Sequence, residues 1–437
     1  MPVADIIYAS AVQVGEAIRK KQVSSLEVTE AHLDRIRDVN PKLNAVFYLA
    51  EEAARQAAQK ADDELARGIW RSPLHGVPFT VKDWIEVAGM PCVANDEKYR
   101  NHVPTQDATA VARMIEAGCV LLGKTSVIED SKVYGPTHNP YRLDYSPSGS
   151  SSGEAAIIAA GGSPLGLGSD SGGSIRDPAH CCGIAGLRPT TGRVPVTGHL
   201  PRITTLVDPR TVIGPMARFV EDLDVCLRII SGVDWRDASV VPMPIEDWKQ
   251  VNPRELRGAF YSHYPGAEPS PDCGRVTRST AQFLVDSGIE VTEASPNRVE
   301  EYWTITQDYW SRAGSEDLSE EWMPLTDGRM SGLEVEHHLF QWDRYRRSLI
   351  KFMEQYDFIL TPVAEFPARK LGSDGCVSFC LPYSLVGYPC VVVRAGSAAD
   401  GMPVGVQVVA RPWREDVALA VAKLIESGLG GWQKPPL

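Results

Sequence analysis

Apolar and polar positions repeat with two distinct periods along this chain, and the change from one to the other marks its elements. Ser24 and Glu27 have capping-box spacing, and Leu26, Val28, Leu33 and Ile36 follow at helical intervals. Glu51 to Ala66 is rich in Ala, Gln, Glu and Lys, which predicts a second helix stopped by Gly68. The first 70 residues therefore read as helical. Gly76-Val77-Pro78-Phe79-Thr80-Val81-Lys82-Asp83 is an apolar run of strand length, and it predicts a buried strand that delivers a lysine at its end. Ala108 to Ala117 returns to helical spacing, Gly118 supplies a C-cap, and Cys119 to Lys124 is extended. This strand–helix alternation predicts a largely parallel sheet with helices on its faces.

From Ser146 to Gly192 the chain turns to Gly, Ser and Ala, with two serine-rich turns flanking a short helix-forming stretch, Glu154 to Ala160. Residues 241–357 are polar and turn-rich, with aromatics that include Trp303, Tyr309, Trp310, Trp322 and Trp342. Strand character returns in Phe358 to Thr361, Cys390 to Val393 and Val404 to Val409, before an Ala/Leu-rich helix from Glu415. There is no internal repeat and no flexible linker. The whole chain, 1–437, reads as one domain: N-terminal helices (1–70), a catalytic core (71–235), a variable pocket region (241–357) and a C-terminal part (358–437) that completes the core.

Composition narrows the functional classes. With 437 residues, 43% of them hydrophobic and 23% charged, the chain can bury a large core without disulfide staples. A formal charge of -12, with no basic cluster beyond short runs such as Arg19-Lys20-Lys21, disfavours nucleic-acid binding. No secretory leader and no apolar window of spanning length is visible, so neither export nor a membrane is expected. Nine scattered cysteines lack zinc-site spacing and point to buried thiols in a reducing cytoplasm.

The chemistry concentrates in the serine-rich stretch, where three nucleophile readings compete. Gly149-Ser150-Ser151-Ser152-Gly153 fits the nucleophile elbow of α/β-hydrolases, with Ser151 as nucleophile. Its candidate partners, Asp357 with His337 or His338, stand in the wrong order for that family. Asp170-Ser171-Gly172-Gly173 and Ala179-His180-Cys181 echo trypsin-like motifs, again in the wrong order and in a chain that begins with helices. His180, Cys181 and Cys182 are therefore expected to be packing residues.

The third reading takes in the whole stretch. Ser148-Gly149-Ser150-Ser151-Ser152-Gly153-Glu154, Gly168-Ser169-Asp170-Ser171-Gly172-Gly173-Ser174-Ile175-Arg176 and Gly183-Ile184-Ala185-Gly186-Leu187-Arg188-Pro189-Thr190 together strongly resemble the amidase signature family. Gly76-Val77-Pro78 with Lys82-Asp83, Gly123-Lys124-Thr125, Leu360-Thr361-Pro362 and Gly401 to Gln407 extend the resemblance over nearly the full chain. It implies an α/β fold: one large domain with a mixed central sheet flanked by helices. It also implies a Ser–cisSer–Lys triad, with Ser174 matching the nucleophile, Ser150, 24 residues earlier and next to a cis peptide, the bridging serine, and Lys82 the base. A lysine accepts a proton only when neutral, and burial favours that form. Asp83 beside it would act the other way if it pointed inward.

The resemblance further implies an oxyanion hole of the Ser171, Gly172, Gly173 and Ser174 amides, with Gly149 and Arg176 as structural support. Trp84, Tyr134, Tyr383 and Tyr388 lie near family motifs and are candidate pocket residues. Two features depart from the family pattern. Serines occupy two glycine positions of the usual Gly-Gly-Ser-Ser-Gly-Gly run, Ser152 among them, which places the geometry of that turn in question. Ser126-Val127-Ile128-Glu129-Asp130 replaces the usual Asn-Met-x-Glu-Phe.

The expected reaction is hydrolysis of a small amide, ester or aryl carbamate through an acyl-enzyme, without metal or organic cofactor. A component of a multi-protein, tRNA-dependent amidotransferase is the rival reading. A homodimer is left open.

Overall fold

The computed structural model describes residues 3–201, 208–312, 330–373 and 375–437. Its framework is an eleven-stranded sheet: β1 (Val46–Leu49), β2 (Pro78–Lys82), β3 (Val120–Thr125), β4 (Leu165–Asp170), β5 (Ala185–Arg188), β6 (Val212–Ala217), β7 (Arg257–Phe260), β8 (Glu290–Glu293), β9 (Phe358–Pro362), β10 (Cys390–Ser397) and β11 (Pro403–Ala410). The spatial order is β1-β3-β2-β4-β6-β5-β10-β11-β9-β7-β8.

The sheet is mixed, as the family resemblance implies, and the largely parallel arrangement drawn from alternation needs correction. Parallel pairing is confined to β2 with β3 and β4, and to β7 with β8 and β9. Those strands are separated by helical or long crossovers. The other neighbours run antiparallel, and β10 and β11 are joined by a tight turn in which Gly401 takes φ +88°.

The N-terminal region carries α1 (Ala11–Arg19), α2 (Ser25–Leu43) and α3 (Glu51–Ala66). Both α1 and α2 start with a reciprocal capping box, Ser10 with Gln13 and Ser24 with Glu27. The region is not wholly helical, because β1 interrupts it. Asn44 takes a left-handed conformation (φ +49°), and the Asn40 side chain binds the amides of Ala45 and Val46. The chain thus leaves α2 in extended form, and Val46-Phe47-Tyr48 suits a strand.

Further along lie α4 (Thr109–Glu116), α5 (Ser152–Ala159), α6 (Arg176–Cys181), α7 (Val220–Ile230), α8 (Pro271–Asp286), α9 (Tyr302–Trp310), α10 (Gly332–Met353), α11 (Leu381–Val386) and α12 (Glu415–Leu429). No described helix is long and apolar enough to cross a membrane.

Strand alternation divides the core between the two faces of the sheet. Phe79, Val81, Leu121, Val391 and Val393 pack in one apolar cluster, and their neighbours Val120, Leu122 and Val392 pack in another. The second cluster also holds Ala155 to Ala160, so α5 is apolar almost all round and buried on every side. Thr80 and Lys82 alternate with Phe79 and Val81, which turns their side chains toward α5.

Candidate active site

Lys82 is fully buried at the end of β2. Its Nζ lies 2.7 Å from Ser150 Oγ, donates to the Ser169 carbonyl at 3.1 Å, and sits 4.4 Å from the centre of the Trp84 ring. Burial disfavours the ammonium form and brings the pKa down to about 7, against the pull of the Asp170 and Glu154 carboxylates. Asp83 is buried too, but it serves a different group of partners. Its carboxylate is 3.6 Å from Lys124 Nζ, and it accepts from the amides of Val93 and Ala94 and from the Tyr134 hydroxyl. The charge beside Lys82 in sequence is therefore matched elsewhere.

Ser150 enters from a turn in which Ser148 has φ +64° and the Gly149–Ser150 peptide is cis. Glycine is required after it, at Gly153, where a Cβ would meet backbone, whereas at Gly149 it would meet the movable end of the Glu129 side chain. A Cβ at Gly149 would stand 2.5 Å from Glu129 Oε2, and one at Gly153 would stand 2.2 Å from the Ala45 carbonyl oxygen. Ser152 makes no new bond in the turn: its hydroxyl is buried with no partner among the described residues. Ser151, the rival nucleophile, is also fully buried. Its hydroxyl faces the Ser169 carbonyl at 3.4 Å, and its amide donates to the Ser174 carbonyl at 3.2 Å, which ties the two serine turns together. The histidines of that reading lie elsewhere: His338 faces the Ile305 carbonyl, and His337 is exposed beside Gln341. Asp357 pairs with Arg411. The α/β-hydrolase alternative is thereby set aside.

Asp170, at the end of β4, organises the second turn. It accepts from the amides of Gly173 (2.9 Å) and Ile175 (3.2 Å), and from Arg176 Nε (2.9 Å) and Nη2 (3.0 Å). Burial works against its ionisation, but Arg176 and Arg188 outweigh that and hold the carboxyl down to about 2. Arg176 also donates to the Cys380 carbonyl, Gln407 Oε1 and Ser384 Oγ, at 2.7, 2.7 and 2.6 Å. Its expected supporting place is thus occupied by a buried network.

One expectation about the turn changes. The Gly173 amide is already bound to Asp170, so it is not free to meet an oxyanion. The amides of Ser171, Gly172 and Ser174 have no partner among the described residues. Ser174 is half-buried, and its hydroxyl has no hydrogen bond there either.

Of the four pocket candidates, two join this centre. Trp84 covers Lys82, and Tyr134 binds Asp83. Tyr383 and Tyr388 belong to an apolar cluster beneath β7 and β9, where the Tyr383 hydroxyl meets that of Tyr261 at 2.8 Å. Trp322 lies outside the described residues. His180 is a packing residue, with Nδ1 accepting from the Gly405 amide and Nε2 against the Phe366 carbonyl. A small hollow beside the Ser148 turn is bounded by Glu129, Ser148, Asp177, Arg369 and Cys376, among others. No group of three or more His, Cys, Asp or Glu able to hold a metal occurs among the described residues.

Sequence reasoning passed over Ser169, Asp170 and Glu154. The available signal was acidic residues inside otherwise apolar or glycine-rich elements, where an unpaired charge is costly and calls for a partner.

Comparison with known proteins bears on the fold and family. The family model described as Amidase matches residues 27–341 and 324–419. A glutamyl-tRNA(Gln) amidotransferase subunit from Roseiflexus sp. (strain RS-1) is 34% identical, with 93% of each chain covered. An acylamidase from Rhodococcus erythropolis is 30% identical, covering 96% of this chain and 95% of the relative. Among solved structures, 6-aminohexanoate cyclic dimer hydrolase in complex with its substrate superposes with a TM-score of 0.87 at 26% identity, over 98% of this chain and 99% of that one. Matched nearly end to end by sequence and by fold, the chain belongs to the amidase signature family of hydrolases, which act on carbon–nitrogen bonds.

Proposed function

We propose that this protein hydrolyses the carbon–nitrogen bond of small amides through an acyl-enzyme on Ser174, with Ser150 as proton relay and Lys82 as base. The observation that carries this reading is the 2.7 Å contact of a fully buried lysine, its pKa brought down to about 7, with the Ser150 hydroxyl. A serine hydroxyl is a weak nucleophile until a neighbour takes its proton. Here the Ser174 proton passes to Ser150 as the Ser150 proton passes to Lys82 Nζ, while Ser174 Oγ bonds to the substrate carbonyl carbon. The resulting oxyanion meets the free amides of Ser171, Gly172 and Ser174. Collapse breaks the carbon–nitrogen bond, and the relay returns the proton to the departing amine. Water then repeats the sequence in place of Ser174 and frees the acid.

The same steps serve esters, which give an alcohol and an acid, and aryl carbamates, which give an amine, an alcohol and carbon dioxide. No metal or organic cofactor enters them. The acylamidase relative supports the amide as substrate. A second reading, one component of an amidotransferase that works with partner proteins, is favoured by the relatives of that name at 34% identity. Hydrolysis of aryl amides by the purified single chain, without glutamine or tRNA, favours the stand-alone hydrolase, and its absence the amidotransferase.

The test of the triad is fluorophosphonate labelling followed by peptide mapping, on the wild type and on Lys82→Ala. One adduct on Ser174 that is lost in Lys82→Ala is expected. An adduct on another serine, or one on Ser174 regardless of Lys82, would overturn the assignment. Because Lys82 must be neutral to accept a proton, kcat/KM is expected to rise with pH through a midpoint of about 7 and to be unaffected by EDTA.

A further inference from the structure

Glu154 sits at the third position of α5, fully buried and followed by Ala155, Ala156, Ile157 and Ile158. Its two carboxyl oxygens accept from the hydroxyls of Thr80 on β2 and Thr125 on β3, the latter at 2.8 Å. Thr80 shares a strand face with Lys82, and Thr125 stands opposite Lys82 in the β2–β3 register. The third neighbouring strand makes room: a Cβ on Gly166 of β4 would lie 1.8 Å from Glu154 Oε1. Three strands that converge on Lys82 are therefore shaped to receive one carboxyl group, carried by the helix that begins just after Ser150. An apolar helix gains no packing from an acid, and burying one is costly.

We propose that Glu154 is a positioning residue for the relay: it registers the Ser150 turn against β2 and, through its charge, governs how readily Lys82 releases its proton. This rests on the catalytic reading above. The ionisable and charged groups around Lys82 are few. Glu154 comes from α5 and Asp170 from β4, the latter bound by Arg176 and weakly approached by Arg188. Asp83 is engaged by Lys124, and His199 meets the Ser169 hydroxyl at 2.9 Å.

Burial pushes Glu154 up to about 7, partly offset by the two threonine hydroxyls, and the same burial brings Lys82 down to about 7. The two groups thus change protonation over one pH range. An ionised Glu154 holds the proton on Lys82, and a neutral one lets it go. Replacing the carboxyl by an amide removes the negative charge at unchanged volume, so the rise of activity with pH should move to lower pH.

The experiment is the pH dependence of fluorophosphonate acylation of Ser174 in the wild type, Glu154→Gln and Thr125→Val, with Lys82→Ala as control. Glu154→Gln should shift the midpoint down by about one pH unit, raising the fraction of plateau rate at pH 6 several-fold. Thr125→Val takes one donor from the carboxylate, makes it less ionised, and should shift the midpoint the same way by less. It also carries the test if Glu154→Gln does not fold. A lower plateau with an unmoved midpoint in both variants would overturn the proposal and leave Glu154 a packing role. Labelling that is absent from Ser174, or indifferent to Lys82→Ala, would instead remove the catalytic reading, and the proposal with it.

Discussion

Lys82 ends β2 and Lys124 lies one residue before the end of the adjacent β3; both are fully buried, and they differ in what lies within reach of the ammonium group. Lys124 faces the Asp83 carboxylate at 3.6 Å and donates to the carbonyls of Ile85 and Asp83, at 2.5 and 3.3 Å. Lys82 has a hydroxyl, a carbonyl and an indole face, and no carboxylate within ion-pair distance among the described residues. The same residue type at the same burial is thus a structural ion pair in one place and a candidate base in the other. The counter-ion decides between them, because it either offsets the desolvation of the charge or leaves the neutral form favoured.

The sharpest way to break this comparison is to replace each lysine by methionine. Lys82→Met, like Ser174→Ala, should lower kcat/KM by about 10⁴ or more while the protein stays folded. Lys124→Met should act first on stability, costing about 3–5 kcal/mol in urea unfolding, because it strands the buried Asp83 carboxylate. Lys82→Met should move stability the other way. The native pKa of Lys82 is about 7 against an ordinary 10.5, so the unfolded chain binds more protons between those values. Stability then rises with pH across that window, and the full penalty, on the order of 3–5 kcal/mol, is present below about pH 7. Methionine removes that penalty. A Lys82→Met protein no more stable than wild type at pH 6 would mean the two sites are alike.

The turn after β4 offers a second, smaller test. Gly173 has φ +146°, and a Cβ there would lie 2.9 Å from Cys380 Cβ. Gly173→Ala must disturb either the turn or α11, displacing neighbouring amides that are free to meet an oxyanion. The expected result is a fall in kcat of about 10² with little change in KM, the pattern of a group that acts in the transition state. An unchanged kcat would place the oxyanion donors elsewhere.

How much of this could be read from the sequence follows from the range of the interactions. The start of α2, the extent of α3 and the strand that delivers Lys82 were legible because caps, glycine stops and alternation are local. Asp170 was not, although it lies four residues before Ser174. Its meaning comes from Arg176, whose other partners, Cys380 and Gln407, lie 204 and 231 residues away. For the same reason its claim on the Gly173 amide was invisible. Tyr383 and Tyr388 were named for closeness in sequence to a motif, and the structure packs both in a buried cluster with Tyr261 and Phe379. In the middle region, β8 is the edge strand Glu-Val-Thr-Glu, too polar and exposed to announce itself. Within α10, the exposed Leu333, Phe340 and Ile350 blur the apolar stripe formed by Trp342, Tyr345 and Leu349.

The smallest effect concerns the serine that stands where the family pattern has glycine. Ser152 opens α5 one residue after the cap, and its hydroxyl is buried without a partner among the described residues. An unsatisfied buried hydroxyl opposes folding by roughly 1–3 kcal/mol, while the side-chain carbon still fills its place. Ser152→Ala keeps that carbon, removes the unpaired oxygen and favours the helix, so a gain of about 1 kcal/mol is expected in urea unfolding. Because Ser150 is fixed by Lys82 on one side and, through the Ser151 amide, by the Ser174 turn on the other, the labelling rate of Ser174 should be unchanged. A slower rate in Ser152→Ala would show that the hydroxyl helps to hold the relay, and that the departure from glycine serves the chemistry.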